Sequence, residues 1–291
     1  MIHTLDLQFQ VTEVIGAFVV ETTEGPVLVE TGPYSVFEHL IKGLARFGYE
    51  PSDIRHVFLT HIHFDHAGAA WALAREGATI YVHPRGYKHL HDPSRLYGSA
   101  KRIYGDMMEK LWGEMHGIPE ELLVAVEDGQ KVTVGEKEFI AWYTPGHASH
   151  HIAWQVGESV FAGDVAGVKI LNGPIVPPCP PPDIDIEAWE VSIDKLLSLN
   201  PTSLYLTHYG KVEDVEAHLT TLRKVLRTWA DWIKPYFDEQ VPQMEIVPKF
   251  TAWVEESLKE HGLDKATLAK YHGANPAYMS VAGLMRYWQK K

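Results

Sequence analysis

One stretch decides how this sequence is interpreted: Thr60-His61-Ile62-His63-Phe64-Asp65-His66-Ala67-Gly68. It follows the apolar run 56–59 and precedes residues 67–76, whose pattern predicts a helix, so it lies on a strand-to-helix turn. Side chains at positions i and i+2 of an extended chain project to the same side, and Asp65 and His66 come where the helix begins. One short loop can therefore direct four polar side chains to one point.

The residue types in this loop indicate a metal site. Imidazole and carboxylate groups together suit Zn, Fe or Mn near neutral pH. The alternative is a solvated loop that happens to be rich in histidine. A buried turn with three histidines and an aspartate would be costly to desolvate without an ion, which favours the metal site.

The composition is that of a globular protein with an acidic balance. The chain has 291 residues, 45% hydrophobic and 22% charged, enough for one large domain or one domain with an appendage. Lys and Arg number 26 against 38 Asp and Glu, a formal charge of -12. That charge would repel a phosphate backbone, so a nucleic-acid partner is not expected.

The expected location is the cytoplasm. Neither a signal peptide nor a run of membrane-spanning length is recognisable, so no membrane association is expected. A single cysteine, Cys179, rules out an internal disulfide and fits a reducing compartment. It lies in the proline-rich run 177–182 rather than at a helix N-terminus, so we do not expect it to be a nucleophile.

The first 212 residues are predicted to alternate between strands and helices. The ligand loop is expected between two strands, 56–60 and 79–82, in a βαβ unit. The other predicted strands are 5–9, 14–20, 27–29, 131–134, 139–143, 152–156, 160–162 and 203–207, and the other predicted helices are 36–47 and 186–199.

Residues 84–119 interrupt this regular pattern. Two interpretations stay open: the apolar face of this segment packs on the core, or it forms a lid whose methionine and aromatic side chains adapt to varied apolar ligands. The residues of this face are Tyr104, Met107, Met108, Leu111, Trp112 and Met115.

Three further polar residues follow predicted strands. His147 ends the phrase Thr144-Pro145-Gly146-His147, Asp164 follows Gly163, and His208 follows the strand 203–207. Strand ends on one edge of a sheet converge on a single crevice. With the ligand loop they make seven candidate ligands, a number that suits two metal ions.

These motifs together resemble the metallo-β-lactamase superfamily, in particular the metal set of its glyoxalase II, lactonase and ribonuclease Z members, over residues 1–212. The resemblance implies an α+β fold, a four-layer αββα sandwich, with a dinuclear centre and a metal-bridging hydroxide. Zinc is the expected metal, with Fe, Mn or Co accepted by the same ligand types. It implies that His61, His63 and His147 hold one ion, that Asp65, His66 and His208 hold the other, and that Asp164 bridges both.

The sequence departs from the family pattern at several positions. The family's Asp-Thr-Gly turn is Glu30-Thr31-Gly32 here, a change expected to affect the frame rather than the metals. His150 stands where Gly is usual, and His151 is interpreted as an outer-shell residue. Gly167 replaces the tyrosine that lactonases carry after the bridging aspartate, which weakens a strict lactonase assignment, and the glutathione-binding pattern of glyoxalase II is missing.

Residues 213–291 are predicted to form a helical C-terminal module. Its helices are expected at 212–237, 250–261, 265–271 and 277–288, separated by breaks at Pro235, Pro242, Pro248 and Pro276. The module's aromatic residues are expected to pack its own core or a subunit contact, and a homodimer is left open. His218, His261 and His272 are expected at the surface.

The function that follows is a metal-dependent hydrolase of ester, lactone, thioester or phosphoester bonds, with broad specificity for small molecules that have an apolar part. Asp65 is the expected proton acceptor, and Tyr209 is the candidate donor to a developing oxyanion, a packed ring being the alternative. The alternatives are a mononuclear iron oxygenase of the persulfide dioxygenase type, a nuclease, and a non-catalytic metal-stabilised binding module.

Overall fold

The computed structural model describes residues 1–291 and contains twelve strands, in two six-stranded sheets, and eleven α-helices. The chain forms two units, Met1–Tyr143 with His150–Phe161 and Thr144–Ser149 with Ala162–Lys291. The two sheets with flanking helices and a helical C-terminal region confirm the predicted α+β class. The predicted domain boundary after residue 212 stays a prediction.

The first sheet lies in the first unit, with its strands in chain order from edge to edge. The first three strands are antiparallel, and the third to the sixth are parallel, so the ligand loop lies in the predicted βαβ connection. The strands are β1 (Ile2–Asp6), β2 (Gly16–Thr22), β3 (Gly25–Val29), β4 (His56–Phe58), β5 (Thr79–Val82) and β6 (Leu123–Ala125).

The helix predicted after the ligand loop is divided in two, α2 (Phe64–Ala67) and α3 (Ala70–Arg75). A Cβ atom at Gly68, which follows α2, would lie 2.5 Å from Phe64 O and 2.9 Å from Pro33 Cα. The close approach of these backbones therefore requires glycine. The other helices of this unit are α1 (Phe37–Ala45), α4 (Pro84–His91), α5 (Ser94–Tyr104) and α6 (Met108–Trp112).

Four antiparallel strands of the second sheet complete the first unit: β7 (Lys131–Val134), β8 (Lys137–Tyr143), β9 (Ile152–Val156) and β10 (Ser159–Phe161). Aromatic rings join the sheets, since Phe58 stacks on Phe139 with ring centroids 4.3 Å apart and meets Trp154 edge-on with centroids 4.7 Å apart. Trp154 Nε1 donates to Leu59 O at 2.9 Å. This core therefore holds the end of β4, directly before the ligand loop.

Residues 84–119 pack on the core through part of the predicted apolar face. Met108 and Trp112 are buried, and Trp112 stacks on Phe9 with ring centroids 5.4 Å apart. Ile103 and Met107 are exposed. The core interpretation is confirmed for the buried residues, and the lid stays a prediction.

The four strands of the second sheet that lie in the first unit run in the order β10-β9-β8-β7, and the second unit contains the remaining two strands. Residues 210–212 pair as a strand with residues 204–206, so the long helix begins at Val215 rather than at 212. The elements are α7 (Ile186–Ser198), β11 (Ser203–Leu206), β12 (Gly210–Val212), α8 (Val215–Asp238), α9 (Gln243–Glu260), α10 (Lys265–Ala274) and α11 (Ala277–Gln289).

Two of the four predicted proline breaks are wrong. Pro242 and Pro276 cap α9 and α11, as predicted for helix boundaries, but Pro235 and Pro248 lie inside α8 and α9. A proline in a helix removes one backbone hydrogen bond. Both helices continue because their apolar faces are buried, as at Ile233.

The helical region packs its own aromatic core, as predicted. Trp229 lies 5.0 Å from Phe250, and Trp232 lies 5.3 Å from Trp253, between ring centroids. No helix of the protein combines the length and the apolar character needed to cross a bilayer.

Polar side chains of α10 and α11 bind the backbone of residues 170–179. Tyr271 Oη donates to Pro174 O at 2.6 Å and accepts from Ile170 N at 3.2 Å. Asn275 Nδ2 donates to Pro177 O at 3.0 Å, and Ser280 Oγ accepts from Cys179 N at 3.3 Å. Cys179 itself is buried, which raises the pKa of its thiol and supports the prediction that it is not a nucleophile.

Candidate metal centre

The ligand loop brings its polar side chains together at the start of α2. His63 is the N-cap of this helix, and Asp65 and His66 lie in its first turn. His61 Nε2 lies 2.9 Å from His63 Nδ1, and the His61 and His66 rings are 3.9 Å apart between centroids. His66 Nε2 lies 3.8 Å from Asp65 Oδ1. The four side chains form one local cluster.

A buried carboxylate supports this cluster from behind. Glu30 accepts from the Thr60 hydroxyl and from His66 Nδ1, the latter at 3.0 Å. Because the Thr60 proton is directed to Glu30, the Thr60 oxygen accepts from His61 Nδ1 at 3.0 Å. Both imidazoles therefore carry their proton on Nδ1, which leaves Nε2 as a lone-pair donor for a metal.

Glu30 corrects an expectation from the sequence. The sequence predicts that the Glu30-Thr31-Gly32 turn affects the frame alone, but the Glu30 carboxylate bonds directly to His66. In the sequence, the sign of this contact is a glutamate at a position where the family has aspartate. Residues 30 and 66 are far apart in the sequence, and the longer Glu30 side chain meets His66 only in the folded structure.

Two further histidines lie beside the local cluster. The ring centroid of His151 is 5.1 Å from that of His61, and the ring centroid of His150 is 6.1 Å from it. His151 is fully buried. The outer-shell role of His151 stays a prediction.

The second unit holds the other three predicted ligands close together. Asp164 lies in a short 3-10 helix, Gly163–Ala166, and directs its two carboxylate oxygens to different imidazoles. Oδ2 lies 3.3 Å from His147 Nε2, and Oδ1 lies 3.6 Å from His208 Nε2. All three residues are buried.

Long-range contacts position this second cluster. His147 Nδ1 donates to Pro178 O at 2.8 Å, so Nε2 is again the nitrogen that carries the lone pair. Gly146 has a φ of +139°, and a Cβ atom there would lie 2.3 Å from Trp189 Cα, so this position needs glycine. Lys169 N donates to His208 O at 2.7 Å.

His218 was predicted at the surface, and this prediction is wrong. It is buried, and its Nε2 donates to Ala166 O at 2.7 Å, two residues after Asp164. Burial, with Lys169 as a nearby positive charge, lowers the pKa of His218 to about 4 despite the bond to Ala166. A periodic helix pattern does not reveal that a histidine on its apolar face carries such a bond.

Three ligand atoms of the first unit form a group that could hold a metal ion. The atoms of Glu30, His61 and His66 lie within 4.8 Å of one another. The assignment of each side chain to a particular ion stays a prediction.

The two predicted catalytic side chains are less buried than the histidines beside them. The Asp65 side chain is 21% exposed, whereas that of His66 is fully buried, so Asp65 can be reached from solvent. Tyr209 is half-buried, and its backbone N–H donates to Lys169 O at 3.2 Å. The oxyanion role of Tyr209 stays a prediction.

The chemistry of this donor set fits divalent transition metals. Its members are imidazole nitrogens with fixed tautomers and carboxylate oxygens, the ligands that Zn, Fe, Mn and Co accept. Outer hydrogen bonds from the imidazoles to a carboxylate, a hydroxyl and a carbonyl are those that metal-binding histidines normally make. These residues could therefore hold a metal.

Curated relatives share part of this sequence. The chain is 30% identical over 176 residues to metallo-beta-lactamase fold-containing protein ST1585 of Sulfurisphaera tokodaii, covering 56% of this chain and 64% of that protein. It is 32% identical over 77 residues to an N-acyl homoserine lactonase of Bacillus thuringiensis, covering 19% of this chain and 31% of that protein. The chain thus spans less than two thirds of the length of these curated relatives.

Solved structures share the fold. ST1585 superimposes with a TM-score of 0.62 at 25% identity, covering 75% of this chain and 84% of that chain. TTHA1429 from Thermus thermophilus superimposes with a TM-score of 0.68 at 18% identity, covering 99% of this chain and 93% of that chain. The second likeness shows the fold alone, including the helical C-terminal region.

A family-wide comparison agrees with the fold. The family model of the metallo-beta-lactamase superfamily matches residues 15–208, more than half of the chain, and includes all seven predicted ligands. This chain belongs to the metallo-β-lactamase superfamily.

Proposed function

We propose that this protein is a hydrolase that uses two divalent transition-metal ions, zinc foremost, to cleave ester, lactone, thioester or phosphoester bonds. The observation that carries the proposal is the geometry of Asp164. Its Oδ2 lies 3.3 Å from His147 Nε2, and its Oδ1 lies 3.6 Å from His208 Nε2. A carboxylate that directs one oxygen to each of two imidazoles has the arrangement expected of a bridging ligand.

The residues around the ions have distinct tasks. Two bound ions would supply Lewis acidity and lower the pKa of a bound water. Asp65, half-buried and beside His66, orients the attacking water and accepts its proton. Glu30 keeps His66 in the tautomer whose Nε2 can bind a metal. No serine or cysteine nucleophile is required.

The substrate we propose is a small molecule with an apolar part. Phe64, between the ligands His63 and Asp65, has its ring centroid 6.2 Å from that of Tyr97 and 6.0 Å from that of Trp112. Aromatic side chains of residues 84–119 therefore adjoin the ligand loop. The N-acyl homoserine lactonase relative makes a lactone the first substrate to test, and the charge of -12 argues against nucleic acid.

The test combines metal analysis with hydrolysis assays on a lactone, a thioester, an aryl ester and a phosphotriester. We expect close to two transition-metal ions per chain and turnover of at least one of these substrates. Asp65→Asn should keep the fold but lower turnover by orders of magnitude, because it removes a charged group beside the attacking water. Asp238→Asn, at an exposed position at the end of α8, is the matched control and should retain full turnover.

Two results would overturn the proposal. The first is equal turnover by Asp65→Asn and the parent protein. The second is a single tightly held iron ion with no second metal, which would favour the mononuclear iron oxygenase.

A further inference from the structure

A groove in the second unit has a lining of its own, although the backbone of Lys169, one of its residues, bonds to the backbone of His208. It has a volume of about 390 Å³ and is bounded by residues 169–176 and by α8 and α9. This volume is within the range of small-molecule sites, roughly 300 to 1,000 Å³. None of the seven predicted metal ligands lines it. The groove is therefore a candidate for a ligand of its own.

One wall of the groove is apolar and held in place by packing. Two indoles form it, Trp229 and Trp253, together with Val225, Val254 and Leu258. Trp229 is buried against Phe250, and Trp253 stacks on Trp232 with their rings inclined by 22°. Rigid aromatic faces of this kind bind hydrocarbon at a small cost in side-chain entropy.

The groove lining contains basic side chains but no acidic ones. Lys169 is its only lysine or arginine, and His261 is its only other titratable residue. No Asp or Glu lines the groove, although the chain has 38 of them against 26 Lys and Arg. His261 Nδ1 bonds to Ser257 O at 2.8 Å, which fixes the ring. A cationic lining in an acidic protein complements a negatively charged ligand.

We propose that this groove binds an amphipathic carboxylate, a small molecule whose hydrocarbon body lies against Trp229 and Trp253 and whose single carboxylate pairs with Lys169. The two halves of the lining favour this combination. A neutral hydrocarbon would leave the Lys169 ammonium without a counter-charge, and a small inorganic anion would leave the indole wall uncovered. The site goes beyond the proposed hydrolase, because binding here needs neither metal nor bond cleavage.

The test is calorimetric titration of the full-length, metal-loaded protein with decanoate, using 1-decanol as the neutral probe of equal chain length. We expect one saturable decanoate site. Lys169→Met should weaken decanoate binding by about tenfold or more and leave decanol binding unchanged, because it removes one charge-assisted contact at nearly constant side-chain volume. Trp253→Ala should weaken binding of both probes.

Two further variants make the result specific. Lys169→Arg should retain decanoate binding, because the positive charge remains. Lys224→Met removes an exposed positive charge of α8 outside the groove and should change neither titration. Circular dichroism and thermal unfolding identify any variant that fails to fold.

Three outcomes would overturn the proposal: no saturable binding of decanoate up to about 1 mM, decanoate affinity unchanged by Lys169→Met, or binding unaffected by Trp253→Ala. Decanoate has no bond that the proposed reaction cleaves, and decanoate held by metal ions would depend on neither Lys169 nor Trp253, so the two variants report on the groove independently of turnover. A protein that hydrolyses none of the test substrates could still bind decanoate, and a failed titration would leave the hydrolase proposal intact.

Discussion

The seven predicted ligands come from two regions that are built differently. His61, His63, Asp65 and His66 lie within six residues on one strand-to-helix turn. His147, Asp164 and His208 come from three separate segments of the chain. The first cluster depends on a local backbone conformation, whereas the second depends on contacts between residues far apart in sequence.

The supports of the two clusters differ accordingly. Glu30 bonds to a side chain of the first cluster itself, the His66 imidazole. His218 supports the second cluster through the backbone at Ala166, two residues from Asp164. A support that bonds to a ligand ring controls its tautomer, whereas a support that bonds to the backbone controls only the position of a loop. Perturbations of the two should therefore differ in size.

The largest effect is expected from removing a ligand of the local cluster. His61→Ala should lower metal content and reduce turnover on the order of a thousandfold or more, because one ring nitrogen of the first triad is lost. Metal analysis and steady-state kinetics measure both effects. The exposed His116→Ala serves as the control for loss of a histidine, and full metal content in His61→Ala would contradict the assignment.

A smaller effect is expected from the support of that cluster. Glu30→Gln keeps an oxygen that can accept from His66 Nδ1 but removes the charge, so metal affinity should fall by about ten- to a hundredfold. Competition with a chelator measures this affinity. Glu38→Gln, on the exposed face of α1, is the matched control. If both variants retain the parent affinity, Glu30 belongs to the frame alone.

A change outside both clusters should affect one class of substrate. Met107→Ala removes an exposed apolar side chain from residues 84–119. It should raise KM for bulky apolar substrates by about fivefold, because a few lost methylene contacts are worth roughly 1 kcal/mol, and it should leave metal content and small substrates unchanged. Trp112 is a poorer choice, since its buried ring packs against Phe9. Equal changes in KM for bulky and small substrates would place specificity elsewhere.

The smallest effect on activity is expected from the support of the second cluster. His218→Gln can still donate to Ala166 O, so turnover at neutral pH should change by no more than about threefold. Its effect appears in stability as the pH falls. The folded protein holds His218 uncharged with a pKa of about 4, whereas the unfolded chain binds a proton near the ordinary value of 6.5.

The sign of this pH dependence follows from proton binding. Between pH 6.5 and 4 the unfolded chain binds more protons, so this residue makes the free energy of unfolding decrease as the pH is lowered, by up to about 3 kcal/mol. The glutamine variant should lose that slope. Urea unfolding of both proteins at several pH values measures the difference, and parallel pH profiles would show that His218 is not buried uncharged.

The elements that could be predicted are those whose sequence patterns lie close together in the chain. The ligand loop, the neighbouring strands and the helix α7 follow from periodicity and turn residues that lie side by side in the chain. The short strands β6 and β12 were missed because three residues are too few to show a period, and each becomes a strand only beside its partner, β5 or β11.

The supports of the site could not be predicted for a related reason. The bonds from Glu30 to His66 and from His218 to Ala166 join residues 36 and 52 positions apart. No local pattern encodes such a pair. The internal prolines Pro235 and Pro248 were misjudged because tertiary burial outweighed their local cost.

The hydrogen bonds of the Tyr271 hydroxyl limit which segments of this protein can be exchanged for those of a relative. Together with Asn275 and Ser280 it satisfies backbone groups of residues 170–179, the loop that also supplies the carbonyl of Pro178 to His147. A chimera that exchanged the last two helices for those of a relative would leave these groups unbonded, at about 1 to 3 kcal/mol for each one that stays buried. The C-terminal helices therefore cannot be exchanged on their own. A chimera should take them together with residues 170–179 from the same protein.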